Sequence, residues 1–271
     1  MSATWSFSDL DFMVLWERNT DLPLPYPFTY TCRYTGHNEY ERAKVQVWER
    51  LRDSVPTEVV GAIETVCRPD VFVSARGWCA DDMDNPGKRI RIVAARSAAS
   101  GYVLSQLPGE TVGHSGGYTI AECDARGLGA TVVAALPAVP AGRRSNVPIV
   151  AEPEADDDGE YRGPLLLDGD DSREVNSRRF LELPATTTGE IIVRQGRSKF
   201  GPRGILEQVL SWRDLPDDGR YVIVHDDDPI AVGTGTQRLI GVLDEAIDLM
   251  VDRLETHWET GDSIAGRRYG G

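Results

Sequence analysis

RIVAARSAASGYVLSQLPGETVGHSGGYTIAECDARGLGATVVAALP (91–137) and LEQVLSWRDLPDDGRYVIVHDDDPIAVGTGTQRLIGVLDEAIDLMVDRL (206–254) follow one order of elements. In each, a strand and a turn lead to a strand opening Gly-Tyr-Val or Gly-Arg-Tyr-Val, then a turn, a short apolar strand and an amphipathic helix. The first copy runs through Ile92–Ala95, Gly101–Leu104 and Thr111-Val112 to a helical stretch from Tyr118. The second runs through Leu210–Arg213, Gly219–Val222 and Ile230–Val232 to a helix from Thr236. Two copies are too few for a solenoid, so they predict one domain whose halves share a sheet across an approximate two-fold. Hairpin connections make that sheet antiparallel and the class α+β. The halves are expected at 1–150 and 172–271, joined by an acidic linker at 151–171.

With 271 residues, 41% hydrophobic and 27% charged, the chain can bury a sizeable core. Its net charge of -14 repels phosphate backbones and anionic lipid over a Debye length, which argues against nucleic acid and membrane surfaces as partners. Cys32, Cys67, Cys79 and Cys123 stand far apart with no CxxC, which predicts reduced thiols in a cytoplasmic protein. The first sixteen residues carry Asp9 and Asp11 among their apolar side chains and do not read as a signal peptide. No apolar run approaches the roughly twenty residues of a spanning helix.

Leu10, Phe12, Val14 and Trp16 alternate with Asp11, Met13, Leu15 and Glu17, which predicts a strand; the competing helix rests on the capping spacing of Ser8 and Asp11. Leu22-Pro23-Leu24-Pro25-Tyr26-Pro27 must be an extended connector. Asn38 with Glu41 predicts a capped helix through Leu51, and a second helix follows Pro56 until Arg68-Pro69-Asp70 stops it. Val71 and Val73 open a hairpin that returns into Ile90–Ala95. The first repeat is expected to end in one helix from Ile120 to Leu136, weakened midway by Gly127 and Gly129. Residues 137–171 are rich in Pro, Gly and acid and read as a disordered or wrapping linker. A short helix, a strand at Glu190–Arg194 and a basic turn at Gln195–Gly204 follow. The final helix is the clearest element, with Leu239, Leu243, Ile247, Met250 and Leu254 on one stripe and a frayed tail beyond Trp258.

Gly113-His114-Ser115-Gly116-Gly117 satisfies G-x-S-x-G, the elbow that lifts a serine hydroxyl onto a strand-to-helix turn, so the alternative function is a serine hydrolase using Ser115 with His225 or His257. Against it, that fold needs parallel strands joined by crossover helices. Asp81, Asp82 and Asp84, like Asp226, Asp227 and Asp228, lack EF-hand spacing and read as solvated turns rather than a metal site. Gly233–Gln237 has no phosphate-loop lysine, so no cofactor is expected. One basic patch stands out: Arg194, Arg197, Lys199 and Arg203 around Phe200. It can receive an acidic or polar helix end with Phe200 as anchor, or merely neutralise nearby Asp and Glu.

Taken in order, the elements resemble the EspG family of type VII (ESX) secretion-associated chaperones of actinobacteria. The resemblance rests on Leu10–Glu17, Leu22–Pro25, Arg68–Asp70 and Arg91–Arg96, then Gly196–Arg203, Ser211–Asp214, Gly219–Tyr221 and the last helix. It implies a cytosolic, non-enzymatic binding protein, its pseudo-two-fold antiparallel sheet flanked by helical bundles. It also implies a helical PE/PPE-like pair as partner, held by the PPE tip and kept soluble before export. No catalytic, metal or cofactor residue is implied. Arg194, Arg197, Lys199, Phe200, Arg203 and Trp212 are the expected partner contacts.

Overall fold

Ser8 turns the chain from strand into helix. In the computed structural model, which describes residues 3–150, 171–198 and 202–265, β1 (Thr4–Phe7) ends one residue before it and α1 (Asp9–Asn19) begins one residue after. Ser8 is extended, and its hydroxyl accepts from the Asp11 backbone N–H at 3.2 Å. Asp9 and Asp11 lie in the first turn, where the helix dipole favours negative charge. The strand expected over Leu10–Glu17 is therefore a helix. Phe12, Val14, Leu15 and Trp16 are all buried, so this helix has little polar face to reveal its period.

The connector 20–36 leads to α2 (His37–Leu51), whose N-cap is Gly36 without a side-chain hydrogen bond. The expected Asn38–Glu41 capping box is not used: Asn38 lies inside the first turn, its carbonyl accepting from Arg42 Nε. α3 (Thr57–Cys67) then buries Val59, Ala62, Ile63 and Val66.

Among the described residues ten strands form one antiparallel sheet, in the order β1-β5-β4-β3-β2-β7-β8-β9-β10-β6. The first meander is β2 (Val71–Trp78), β3 (Ile90–Ser97), β4 (Ser100–Pro108) and β5 (Ser115–Asp124), followed by α4 (Leu128–Ala134). After β6 (Val147–Pro148) and α5 (Asp171–Leu181), the second is β7 (Thr187–Gln195), β8 (Glu207–Leu215), β9 (Gly219–Val224) and β10 (Ile230–Gly233), followed by α6 (Thr236–Ala265). β2 and β7 pair antiparallel at the centre, Val73 opposite Val193 and Ser74 opposite Ile192. Each meander runs outward from that seam, which is the pseudo-two-fold.

The repeat aligns differently from its sequence reading. Thr111-Val112 is a turn, and Ser115–Asp124 is a strand, so β5 and not Thr111-Val112 corresponds to β10. Tyr118 and Ile120 are wholly buried on one face at period two, and the helix is confined to Leu128–Ala134. Gly127 is its N-cap rather than a weak interior point. Residues 140–149 run along the far edge of the second meander rather than hanging free. Gly142 N–H donates to Arg220, Arg220 N–H donates to Pro140, and β6 pairs with β10. Most of the acidic linker, 151–170, lies outside the described residues, as does the end of the tail expected to fray beyond Trp258; the α6 backbone continues to Ala265.

Three apolar clusters follow from strand alternation. On one face α4 and α6 cover the whole seam, packing Leu239, Leu243 and Met250 against residues such as Val73, Val193, Leu210 and Trp212. On the other, α1 and α3 cover the first meander only, around Phe12, Ile63, Phe72, Leu104 and Tyr118. That same face of the second meander has a small cluster at its far end, Phe180 of α5 against Tyr221 and Ile223.

Candidate functional site

Ser74, Ile192, Val209 and Ser211 share one sheet face, paired across β2, β7 and β8, and belong to neither cluster on that face. They form the floor between the α1–α3 helices and α5. A groove of about 560 Å³ opens over the Ser74–Ile192 end of this floor. One wall is Leu22–Tyr26 with Trp16 and Val66, and the other is Arg194, Ile205 and Glu207. The connector wall is fixed because the buried Trp16 donates from Nε1 to the Leu22 carbonyl at 2.7 Å. Prolines 23 and 25 remove backbone donors and keep the wall extended. Leu22 and Tyr26 nonetheless leave 53% and 52% of their surface exposed beside the groove.

Charge is placed around the apolar lining. The Arg194 guanidinium lies over the Phe72 ring at 4.7 Å, a cation–π contact that holds the cation at the groove edge. Farther along β2, Arg76 lies 5.4 Å from the Tyr26 ring and reaches Glu190 at 3.5 Å. Burial pushes the Tyr26 phenol above its ordinary value against the opposing pull of Arg76. Ser211 Oγ and His225 Nε2 stand 2.7 Å apart at the far side of the floor. This arrangement can bind an elongated apolar element with polar flanks.

Of the expected contacts, Arg194 lines the groove. Arg197 pairs with Asp70 at 3.0 Å, while Gly196 N–H donates to the Asp70 carbonyl, so the root of the basic turn is tied to the α3–β2 corner. Arg203 is exposed in a short 3₁₀ turn, Pro202–Gly204. Lys199 and Phe200 lie outside the described residues. Trp212 is a correction: it is only 1% exposed and faces α6, so it is core and not a contact. Ser211 and Arg213 face the floor side, and the alternation between them decides where Trp212 goes. Leu22, Tyr26 and Ile192 were missed because the groove joins segments as far apart in the chain as Trp16 and Glu207, which no local pattern records.

The serine elbow is absent. Ser115 opens β5, is fully buried, and exchanges hydrogen bonds with Gly117, accepting from its N–H and donating to its carbonyl. A strand and not a helix follows it. His114 Nδ1 is engaged by Thr111 Oγ1 at 2.8 Å, and His225 by Ser211. Asp82 pairs with Lys88 and Asn85, and Asp228 with Arg173. Among the described residues no group of three or more His, Cys, Asp or Glu is placed to hold a metal, all four cysteines are free thiols, and no helix is long and apolar enough to cross a membrane.

The EspG family model matches residues 8–241. No curated protein matches the chain. A chain in the solved structure of the Mycobacterium tuberculosis type VII secretion system chaperone EspG5, in complex with the PE25-PPE41 dimer, is similar to this one at 14% identity. The match has a TM-score of 0.51 and covers 90% of this chain and 95% of that one. At that identity the likeness speaks for the fold.

Proposed function

This chain belongs to the EspG family, and from that premise we propose that it is a cytoplasmic chaperone of a type VII secretion system that holds the tip of a helical PE/PPE-like pair. The observation that carries the proposal is the apolar groove beside an uncovered sheet floor, walled by the half-exposed Leu22 and Tyr26. A helical tip laid there buries apolar surface on both partners and excludes self-association of the partner by mass action. The chain acts by binding, without turnover. Arg194, at the groove edge, is the partner contact the geometry supports best; Arg197, Lys199, Phe200 and Arg203 are proposed to join it from the turn that follows, and residues 1–150 and 172–271 to act as one domain of two halves across the acidic segment 151–171.

Co-expression with the helical pair encoded beside this chain tests the proposal. A soluble stoichiometric complex on size exclusion is expected, weakened about tenfold or more by Ile192→Glu, which puts an unpaired charge on the groove floor. Recovery of free chain only, with the pair insoluble or self-associated, overturns it.

A further inference from the structure

Arg76 and Arg91 are directly opposite each other across β2 and β3. Like charges in that position repel, and a sheet keeps them only where something else compensates. Arg89 joins them, and the three arginines line one cavity of about 380 Å³ beside Tyr26–Thr29, with Trp78 and Met83. Among the described residues no acidic one lines it. Arg91 donates to the Val112 carbonyl at 2.6 Å, Arg89 to the Met83 carbonyl at 2.5 Å, and Arg76 reaches Glu190 at 3.5 Å. The Nε donors of Arg76 and Arg89 are buried with no acceptor. Burial, and then the charge of Arg89, push the Arg91 guanidinium below its ordinary value, as expected where cations crowd.

Three cations around one cavity, in a chain of net charge -14, with two buried donors unpaired, make a receptor for an anion. Resting on the docking role above, we propose that this cavity takes a carboxylate side chain of the helical partner. Continuity with the groove identifies the source. Tyr26 lines both spaces, Ser74 lines the groove, and Arg76, two residues along the same strand face, lines the cavity. Two strand residues span roughly 6.5 Å, and side chains three or four apart on a helix lie about 5–6 Å apart. A partner helix running along β2 with an apolar residue in the groove therefore places an Asp or Glu, three or four residues on, over the arginines. Trp78 and the Tyr26 ring, which flank Arg76 at 5.2 and 5.4 Å, cover the methylenes of such a side chain. The cavity thus selects partners that carry this apolar-to-acid spacing.

The test compares the native chain with Arg76→Gln/Arg91→Gln in complex with the co-expressed helical pair. Affinity is expected to fall about tenfold, and the dependence of affinity on salt to flatten. Replacing the partner's acid by its amide should give the same loss, with no further loss when both changes are combined. Should the Gln pair fail to fold, Arg76→Lys/Arg91→Lys keeps the charge; it is expected to keep the salt dependence while losing most of the preference for acid over amide. Native-like affinity and salt dependence in the Gln pair, beside a normal native complex, overturn the arginine subsite and leave the docking role standing. Failure of the native chain to bind the pair overturns both. Titration with inorganic phosphate separates the remaining source: binding that needs the arginines but leaves partner affinity unchanged makes this a solute site and overturns the proposal.

Discussion

The two meanders share a topology but differ in what covers one of their faces. Over β2–β5, the helices α1 and α3 bury Phe12 against Tyr118 in a stack with ring centroids 4.1 Å apart, and Phe28 closes on both edgewise. Over β7 and β8 the same face carries Ile192, Val209 and Ser211, none of them fully buried. The opposite face is treated alike in both halves, with α4 and α6 packed across the seam. The duplicated sheet is thus capped over one copy and left open over part of the other, the surface proposed above for docking. The cost is stability that the open copy does not gain from burial.

The largest expected effect contrasts those two surfaces. Phe12→Ala removes a wholly buried ring from the capped copy and should cost about 3–5 kcal/mol. Val209→Ala, on the open floor, should cost about 1 kcal/mol or less. Urea unfolding of both variants checks this; equal losses mean the floor is packed as tightly as the capped face.

On its α4–α6 side the second copy also carries a buried ion pair. Asp214 and Arg220 are 2% and 3% exposed and bonded through both carboxylate oxygens at 2.7 and 2.8 Å. Arg220 also donates to the Pro137 carbonyl, which fastens the strap 137–142 to the sheet. Asp214→Ala leaves a buried guanidinium without its counter-charge and should cost about 3 kcal/mol. The register position in the first copy, Arg96 opposite Gly101, holds no such pair, so Arg96→Ala should change stability much less. Loss of comparable size at both positions erases the distinction.

At the seam the copies meet through glycine. Gly77 and Gly189 are directly opposite, and both face the Trp212 ring. A Cβ on Gly189 would stand 2.1 Å from that ring and 2.5 Å from the Arg76 carbonyl, whereas one on Gly77 meets only side chains, at 2.9 Å and beyond. Gly189→Ala should therefore cost about 1–3 kcal/mol by overpacking and Gly77→Ala less. Thermal melts of the two variants order them, and the reverse order would show that the ring yields away from β7 more easily than away from β2.

How much of this was legible depended on how local each signal was. The α6 stripe stood out because five buried residues repeat at helical spacing on one uninterrupted segment. The antiparallel seam was legible from hairpins, and the pseudo-symmetry from two Gly-(Arg)-Tyr-Val strands, which are β4 and β9. β5 was not: the glycines before it suggested a helix start, while Gly117, at φ +128° and with the Phe7 carbonyl 2.5 Å from where a Cβ would be, serves the close approach of β1. Trp212 was assigned to a surface because a one-residue change of parity moves a side chain to the other face. The groove and the arginine cavity were out of reach, since β2, β7 and the connector at 22–28 come together only through long-range pairing.

The smallest effect tests the residue that decides the cap. α1 opens with the Ser8 hydroxyl accepting from the Asp11 N–H, in a stretch whose alternation equally fits a strand. A strand there would place Phe12, Val14 and Trp16 on one face and Leu15 on the other, whereas the helix, packed against α2, β5 and α3, buries all four. Tertiary burial thus outweighs the local ambiguity, and the cap contributes only its own share. Ser8→Ala should cost about 1 kcal/mol, and Ser8→Asp, which keeps an acceptor and adds favourable charge, should restore it. A loss of several kcal/mol in Ser8→Ala would instead mean that the cap selects helix over strand, and that the covered copy is held closed by one hydroxyl.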